Sequence, residues 1–269
     1  MTPEDIRRAV PREAFVPDTL WIRQDDGWAV PITRQEHPEE WTRLVCDDEQ
    51  PVITQVDDGV ADKGIWPTSS GSSPEIMADM IDALDVRPGL RVLEIGTGTG
   101  YNAAVLATVV GAGNVTTVEI APEIAAHARA ALGRAGYPVN LVIADGVGGY
   151  APGAPYDRII VTAAAHRIPA AWIRQTRPGG VIVVPWAPTF HPDWPLCRLT
   201  VRPDGTAAGR FLGPASFMPL RGQRLPQSVI HDTERRWRQA GEPACTRYGI
   251  TVTDREQRIW LDVPDNVVA

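Results

Sequence analysis

The chain has 269 residues, of which 43% are hydrophobic and 22% are charged, an ordinary composition for a folded domain with additions. Its formal net charge of −7 and the absence of a basic stripe argue against a nucleic-acid partner. No apolar run approaches the roughly 18 residues of a membrane span, and the N-terminus, MTPEDIRRAVPREAF, is charged from its start, unlike a signal peptide. We therefore expect a cytoplasmic, monomeric protein with no membrane partner.

Metal and disulfide chemistry find no support in the spacing of cysteine and histidine. Cys46, Cys197 and Cys245 lie far apart, and the five histidines are scattered without a paired spacing. Structural zinc sites and disulfide frameworks usually show such pairs. The sequence therefore predicts no metal site.

Residues 1–70 are mixed in character and read as an N-terminal extension. PEDIRRAV predicts a short helix with Pro3 in its first turn. GWAVPI and QPVITQV predict strands, whereas DDGV and PTSSGSSP have the chemistry of turns or loops.

A regular alternation of helices and strands begins at Pro74, and residues 71–187 are predicted to form the core domain. Helical apolar spacing is seen in PEIMADMIDAL, YNAAVLATVV, PEIAAHARAALGRAG and IPAAWIRQT. Between these segments lie strands that are apolar on both faces, namely RVLEIG, NVTTVEI, VNLVIAD, DRIIVTAAA and GVIVVPW. The alternation predicts an α/β fold with a doubly wound, mostly parallel, Rossmann-like sheet.

Residues 188–269 are predicted to complete the core with a hairpin and to end in a tail. Two alternating runs flank PDG in LCRLTVRPDGTAAGRFLG, which is a hairpin signal. SVIHDTERRWRQA is compatible with a helix, and GITVTDREQRIWLDV suggests a second hairpin that turns at TDREQ.

The segment VLEIGTGTGYNAAVLA, residues 92–107, joins a strand to a helix through Gly96, Gly98 and Gly100. A dinucleotide fingerprint, GxGxxG, would place its third glycine where Tyr101 stands, and a phosphate-binding P-loop would require GxxxxGK[ST]. The turn therefore admits a ligand close to the backbone but lacks both phosphate signatures. A tight turn used only for packing is the alternative.

Two acidic residues follow the next strands. Glu119 ends the second core strand, where a carboxylate can accept both ribose hydroxyls, and Asp145-Gly146 follows the third, where it can face an adenine edge. A nucleoside without phosphates fits this set, and S-adenosylmethionine is the common cofactor of that kind. Taken singly, either acid could instead be a helix N-cap or a solvated carboxylate.

These segments resemble the protein-L-isoaspartate O-methyltransferase family. The resemblance is carried by VLEIGTGTGYNAAVLA, VTTVEI, ADGVGGYAPGAPYDRIIVTAAA and IRQTRPGGVIVVPW, by AVPREAFVP at residues 9–17, and by SGSSP, which is similar to the family's Ser-x-Pro substrate loop. It implies a class I methyltransferase fold with N-terminal and C-terminal additions. It also implies S-adenosylmethionine as cofactor, S-adenosylhomocysteine as product, and a peptide or protein carboxylate as methyl acceptor.

The resemblance also implies roles for individual residues. Ser72 is expected to hold the acceptor carboxylate, with a helix N-cap as its alternative role, and Glu94 is expected to face the methyl donor or to hydrogen-bond the loop backbone. The expected cofactor contacts are Ser72, Glu94, Gly96, Thr97, Gly98, Thr99, Gly100, Tyr101, Glu119, Ile120, Asp145, Gly146 and Thr162. The expected substrate contacts are Ser72, Ser73, Thr162, Ala163 and Trp186, the last of which could also be a core aromatic.

PDTLWI, VITQVDDG and FMPLRGQR resemble a bacterial offshoot of the family whose members accompany ATP-grasp (graspetide) or lanthipeptide enzymes in ribosomal peptide maturation. That resemblance implies methylation of one Asp in a modified precursor peptide, after which the ester collapses to an aspartimide. The alternative is general repair of isoaspartyl residues. A binding protein without catalysis and a small-molecule methyltransferase remain two further hypotheses.

Overall fold

The computed structural model describes residues 1–269, which form two compact units. The first comprises Met1–Asp82, Arg87–Gly89 and Thr97–Ile143, and the second comprises Ala83–Val86, Leu90–Gly96 and Ala144–Ala269. The chain passes from the second unit to the first within the glycine turn, at the bond between Gly96 and Thr97. The division at residues 70 and 187 stays a prediction.

The N-terminal part of the first unit contains a four-stranded antiparallel sheet and two short helices. The helices are α1 (Pro3–Ala9) and α2 (Pro38–Val45), and the strands are β1 (Thr19–Arg23), β2 (Ala29–Thr33), β3 (Val52–Val56) and β4 (Pro67–Gly71), in the sheet order β2-β1-β3-β4. Thr2 and Asp5 form a reciprocal capping box that starts α1, with Pro3 in its first turn as predicted.

The prediction of a loop over PTSSGSSP is wrong for its first half, which is strand β4. Its backbone pairs with β3, with Ile53 opposite Ser70 and Val52 opposite Gly71. The Thr54 hydroxyl also donates to the Ser69 hydroxyl across the pair, at 3.0 Å. Pairing with a neighbouring strand therefore overrides the turn preference of Ser and Gly, a context effect that β propensities do not capture.

The rest of the first unit follows the predicted alternation. Its helices are α3 (Pro74–Leu84), whose last two residues belong to the second unit, α4 (Tyr101–Val110) and α5 (Pro122–Arg134). Strands β6 (Val115–Glu119) and β7 (Asn140–Ile143) pair in parallel. Every residue of β6 is buried, but β7 has exposed residues at both ends, so the expectation of two buried faces fails there. The reason is that β7 is an edge strand.

The second unit contains seven strands in the order β13-β12-β11-β10-β9-β8-β5. They are β5 (Val92–Ile95), β8 (Tyr156–Val161), β9 (Thr176–Pro185), β10 (Pro195–Val201), β11 (Ala207–Pro214), β12 (Tyr248–Val252) and β13 (Gln257–Leu261). The pairs β5-β8 and β8-β9 are parallel, and all later pairs are antiparallel. Both predicted hairpins are therefore confirmed, and the additions extend the sheet.

Two helices belong entirely to the second unit, α6 (Ala170–Gln175) and α7 (Gln227–Gln239), and both were predicted. The core of this unit is formed by apolar strand residues such as Ile159, Ile182 and Val183, which are fully buried. None of the helices in the structure combines the length and the apolar character that crossing a membrane requires.

Candidate active site

The part of the glycine turn that lies in the first unit, from Thr97 onward, is held by hydroxyl and carboxylate groups. The hydroxyls of Thr97 and Thr117 lie 2.7 Å apart, and the hydroxyl of Thr99 accepts from the N–H of Tyr101 at 3.3 Å. Both Thr97 and Thr99 are buried. Their side chains therefore shape the turn from inside.

Glu119 is built into this turn. One carboxylate oxygen accepts from the N–H of Gly98 at 3.0 Å, and the other accepts from the N–H groups of Ile120 and Ala121 at 3.0 and 3.1 Å. The side chain is 7% exposed, so it is not a solvated carboxylate. Because a carboxylate offers about four acceptor positions, this one retains capacity for a ribose hydroxyl while it fixes the backbone at Gly98.

Gly96 begins the turn in the second unit, with φ of +97°. A Cβ at this position would lie 2.5 Å from the hydroxyl oxygen of Thr162. Thr162 in turn donates its hydroxyl to the carbonyls of Gly96 and Ile95. Both the backbone angle and the space therefore require glycine here, and Thr162 supports the turn in addition to any contact with a ligand.

Gly100 serves packing instead. It stands just before α4 with φ of +86°, and a Cβ there would lie 3.2–3.3 Å from side-chain atoms of Leu132 and Ala128 on α5. The packing alternative for the turn thus holds for its last glycine. Tyr101, the first residue of α4, is buried, and its ring lies 5.7 Å from that of Phe15.

Asp145 is exposed in the second unit and borders a groove that also contains Val147, Ile168 and Arg174. One of its carboxylate oxygens accepts from the N–H of Val147 at 3.0 Å, which caps a short 3-10 turn. The other oxygen can still accept from a ligand. The next residue, Gly146, is buried; a Cβ there would collide with Ile95, and its carbonyl accepts from the indole of Trp172 at 2.8 Å.

Glu94 and Ala163 complete the predicted set in the second unit. Glu94 lies in β5 opposite Ile160 and is fully buried. Ala163 follows Thr162 and is half-buried. Beyond it, two glutamines of the C-terminal addition hold the backbone of residues 166–168: Gln223 accepts from the N–H groups of His166 and Arg167 at 2.9 and 3.0 Å, and Gln257 accepts from Ile168 at 3.0 Å.

The two serines before α3 have different environments. Ser73 is buried and its hydroxyl accepts from the N–H of Ile76 at 3.4 Å, so the helix-capping role belongs to Ser73. Ser72 is half-buried, and the hydrogen bond that the structure gives it uses its carbonyl, which accepts from Arg12 at 2.9 Å. The Ser73 hydroxyl is therefore engaged with the helix, and the expected substrate contacts of Ser72 and Ser73 stay predictions.

Trp186, which was expected either at a peptide groove or in the core, lies in the core. Its side chain is fully buried, its indole donates to the hydroxyl of Thr189 at 3.0 Å, and its ring meets that of Phe211 edge to face at 5.6 Å. It is a core aromatic, the alternative that the sequence left open. An apolar run such as GVIVVPW does not reveal whether the tryptophan at its end points into the core or toward a groove.

Sequence reasoning missed two features of the first unit. Arg12, inside the PREAF motif, is buried and reaches the loop that carries Ser72. Ile143 ends β7 directly opposite Glu119 and is 46% exposed, and Ile120 is 40% exposed. Exposed isoleucines beside Glu119 offer an apolar surface of the kind on which a purine ring packs. The signal for Ile143 was its place at a strand end, two residues before Asp145.

The family model for protein-L-isoaspartate(D-aspartate) O-methyltransferase (PCMT) matches residues 52–225, which include the SGSSP loop, the glycine turn, Glu119 and Asp145. The chain belongs to this family. Family membership confirms the main resemblance and makes the chain a member of a group of S-adenosylmethionine-dependent methyltransferases, as the missing phosphate signatures and the acidic strand ends indicated.

Curated relatives extend the match beyond that region. A protein-L-isoaspartate O-methyltransferase of Hyperthermus butylicus is 43% identical over 233 residues, which is 82% of this chain and 82% of the relative. One from Ignicoccus hospitalis is 44% identical over 152 residues, 55% of this chain and 71% of the relative. All carry the name of the isoaspartate enzyme, so the offshoot in peptide maturation finds no support among them.

Solved structures confirm the fold. A protein-L-isoaspartate O-methyltransferase superimposes with a TM-score of 0.68 at 20% identity, covering 97% of this chain and 95% of that one. A Plasmodium falciparum beta-aspartate methyltransferase in complex with S-adenosyl-L-homocysteine gives 0.57 at 16% identity, covering 81% of this chain and 89% of that one. The PCMT chain therefore has the predicted Rossmann-like class I methyltransferase fold, with antiparallel additions.

Proposed function

We propose that this PCMT member transfers a methyl group from S-adenosylmethionine to the free α-carboxylate of an isoaspartyl residue in a peptide or protein. The proposal rests on the different bonding of the two serines in the SGSSP loop, residues 70–74, which we call the acceptor loop. Ser73 caps α3 and Arg12 donates to the carbonyl of Ser72, so the Ser72 hydroxyl is left to bind a ligand. A relative with the isoaspartate name, which is 43% identical with 82% of both chains covered, supports the same substrate class.

The residues present fit the cofactor. In the first unit, the acceptor position left on Glu119 suits a ribose hydroxyl, and Ile120 and Ile143 suit the face of an adenine ring. In the second unit, the open carboxylate oxygen of Asp145 suits the adenine amino group. Gly96, with its positive φ, and Gly98, whose N–H donates to Glu119, have no side chains. Their main chain is therefore accessible to the remaining part of the cofactor. When bound, the cofactor supplies an electrophilic methyl group on a sulfonium.

No general base is required of the protein. A free α-carboxyl group has an unperturbed pKa of about 3.3–3.7 and an Asp side chain one of about 3.9, so either acceptor is already ionised at neutral pH. The protein's task is then to place one carboxylate oxygen about 3–3.5 Å from the methyl carbon and in line with it. Ser72 would contribute by donating its hydroxyl to the other carboxylate oxygen, which fixes the acceptor and leaves the reacting oxygen unblocked.

The resulting ester is set up for a reaction outside the enzyme. The backbone nitrogen of the following residue attacks the ester carbonyl, methanol leaves, and a five-membered succinimide forms. Repair of isoaspartate and installation of an aspartimide share the methylation step and differ in which carboxylate reaches the loop.

Methylation of one Asp in a modified precursor peptide is the second candidate. It is favoured by the four-stranded sheet β2-β1-β3-β4, whose edge strand β4 runs directly into Ser72. Two of its strands, β1 and β2, lie before residue 52, where the family model begins. Because β4 leads directly into the acceptor loop, the sheet is placed to contact a folded partner peptide whose Asp reaches that loop.

Side-by-side methyl transfer separates the two candidates. Labelled S-adenosylmethionine is supplied with an unstructured isoaspartyl peptide, its normal-Asp counterpart, and a ring-bearing peptide that contains Asp. We expect transfer to the isoaspartyl peptide alone, followed by loss of methanol. Transfer only to the ring-bearing peptide would establish the second candidate, and transfer to none of the three would contradict both.

Two variants test the assigned roles. Ser72→Ala should lower kcat/KM for the peptide about tenfold or more, the factor expected for one hydrogen bond to a charged group, with the Kd of S-adenosylhomocysteine within about twofold of the wild-type value. Glu119→Ala should raise that Kd by a similar factor, measured by calorimetry. If the two variants behaved alike, the division of roles would be wrong.

A further inference from the structure

Arg12 is an unusual residue for its position. Its side chain is 2% exposed, and its guanidinium donates to five backbone carbonyls rather than to a carboxylate. Nη1 lies 3.3 Å from the carbonyl oxygen of Val45 and 2.9 Å from that of Asp47. Nη2 lies 3.2, 2.9 and 2.9 Å from the carbonyl oxygens of Gln50, Gly71 and Ser72, respectively. A buried cation costs stability unless it is well bonded, so this arrangement calls for a reason.

Two of the five carbonyls belong to the peptide groups that flank Ser72. The carbonyl of Gly71 shares its peptide group with the N–H of Ser72, and the carbonyl of Ser72 shares its group with the N–H of Ser73. In a trans peptide the N–H and C=O bonds point in opposite directions. With both carbonyls turned toward Arg12, the N–H groups of Ser72 and Ser73 point away from it.

The charge on Arg12 adds to this geometry. Burial lowers the pKa of its guanidinium, but an arginine stays protonated at neutral pH in proteins. A cation bonded to a carbonyl draws electron density through the peptide group and makes its N–H a stronger donor. In a chain of net charge −7, it also places one fixed positive charge beneath a loop that must attract an anion.

We propose that Arg12 is a positioning residue for methyl transfer: it orients and polarises the peptide groups at Ser72 and Ser73 so that their N–H groups, with the Ser72 hydroxyl, receive the acceptor carboxylate. This inference rests on the proposed function, because it assigns a cause to the carboxylate-holding role of Ser72. Arg12 does not touch the reacting atoms; its effect passes through the main chain of the loop.

A purely structural role is the competing explanation, because three of the bonds go to Val45, Asp47 and Gln50, outside the acceptor loop. Arg158 provides a matched control. It is also buried, at 7% exposed, and also donates to backbone carbonyls, those of Asp85 and Asp157, although it pairs in addition with the carboxylate of Asp85 at 3.3 Å. None of its partners is in the acceptor loop. If buried arginines mattered only for folding, Arg12→Lys and Arg158→Lys would have the same consequences.

The test compares Arg12→Lys, Arg12→Gln and Arg158→Lys with the wild type. Lysine keeps the charge but has three donors on one atom and cannot span five carbonyls, whereas glutamine keeps two donors without charge. For each protein, kcat and KM for the isoaspartyl peptide, the Kd of S-adenosylhomocysteine and the melting temperature are measured. The activity of Arg12→Ala is also followed with added guanidinium chloride at concentrations below denaturation, against the same concentrations of sodium chloride.

We expect both Arg12→Lys and Arg12→Gln to lose about tenfold or more in peptide kcat/KM, with the Kd of S-adenosylhomocysteine within about twofold of the wild-type value. Arg158→Lys should melt at a lower temperature with its kcat/KM retained, and guanidinium should restore activity to Arg12→Ala where sodium does not. Undiminished kcat/KM in a folded Arg12 variant, an equal loss in Arg158→Lys, or failure of every Arg12 variant to fold would overturn the proposal. Absence of transfer by the wild type would instead contradict the proposed function.

Discussion

The neighbouring serines at positions 72 and 73 show how strongly a role depends on side-chain direction. Ser73 is buried and caps α3 through the N–H of Ile76, whereas Ser72 keeps its hydroxyl for a ligand. Both precede the same helix, so the sequence allowed either to be the cap. The distinction can be measured, because loss of a cap lowers stability and loss of a ligand contact lowers activity.

Ser73→Ala should lower the free energy of unfolding by about 0.5–2 kcal/mol, the usual cost of a lost serine cap. The melting temperature should fall by a few degrees in a chain of this size. Because the Ser73 hydroxyl is engaged with α3, kcat/KM for the isoaspartyl peptide should stay within about threefold of the wild-type value. Thermal melting and steady-state kinetics on the same preparation decide, and a variant that melts normally but is inactive would contradict the assignment.

Glu119→Gln tests whether the carboxylate itself is required. All three N–H groups that it accepts point at its two oxygens, so an amide must turn its NH2 group toward at least one donor. Leaving a buried donor unsatisfied costs about 1–3 kcal/mol. We expect lower stability together with a raised Kd for S-adenosylhomocysteine, measured by melting and calorimetry. An unchanged Kd would show that the glycine turn does not depend on Glu119.

At the scale of elements, the approach of α4 to α5 depends on Gly100. A Cβ there meets Leu132 and Ala128 at 3.2–3.3 Å and φ is +86°, so Gly100→Ala should lower stability by about 1–3 kcal/mol. Gly133 within α5 is the matched control, because a Cβ there meets nothing within 4 Å. Gly133→Ala should raise stability by about 0.5–1 kcal/mol through helix propensity. Denaturant titrations of both variants would test the pair; a change of the same sign in both would contradict it.

The elements that sequence predicted well are those whose pattern is local. YNAAVLATVV matches α4 residue for residue, and PDG was enough for the β10-β11 hairpin, because helical spacing and turn chemistry lie within the segment itself. β4 could not be predicted in this way, since PTSSG becomes a strand only through its pairing with β3. Strand β1 and helix α2 were likewise missed in the N-terminal extension.

The site shows the same contrast. The positions of Gly96, Glu119 and Asp145, in the glycine turn and after strand ends, could be predicted from the sequence alone. The burial of Trp186, the capping by Ser73 and the reach of Arg12 over 60 positions to Ser72 depend on tertiary packing, which no local pattern encodes. The substrate class could not be predicted from local patterns either. The additional segments suggested a peptide-maturation enzyme, whereas the names of the relatives favour isoaspartate.

At the scale of the whole molecule, stability should depend on pH through His191. This ring is 2% exposed, its Nδ1 accepts from the N–H of Asp193 at 3.2 Å, and the ring of Trp237 lies 5.2 Å away. Burial lowers the pKa of His191, with the nearby Asp193 opposing that shift. The folded protein therefore holds the neutral ring, and protonation favours the unfolded chain.

The free energy of unfolding should therefore decrease as the pH falls. The stability that His191 contributes is fully present above the unfolded pKa of about 6.5 and is lost as the pH falls from there toward the folded value, by at most about 1.4 kcal/mol per pH unit. Urea midpoints at pH 7.5 and 5.5 should show a smaller decrease in His191→Asn than in the wild type. His231→Asn, at an exposed position, should keep the full wild-type decrease. Equal decreases in all three proteins would rule out His191 as the cause.

The bonds of Arg12 to main-chain carbonyls have a consequence for how such proteins can vary in evolution. Every amino acid carries the same carbonyl, so the five positions that accept from Arg12 can change their side chains without losing the bonds. The guanidinium has no substitute, since no other side chain presents five N–H donors from one plane. Among relatives that keep this arrangement, arginine should be fixed while the residues it holds drift, a one-sided pattern that methods based on paired substitutions would overlook.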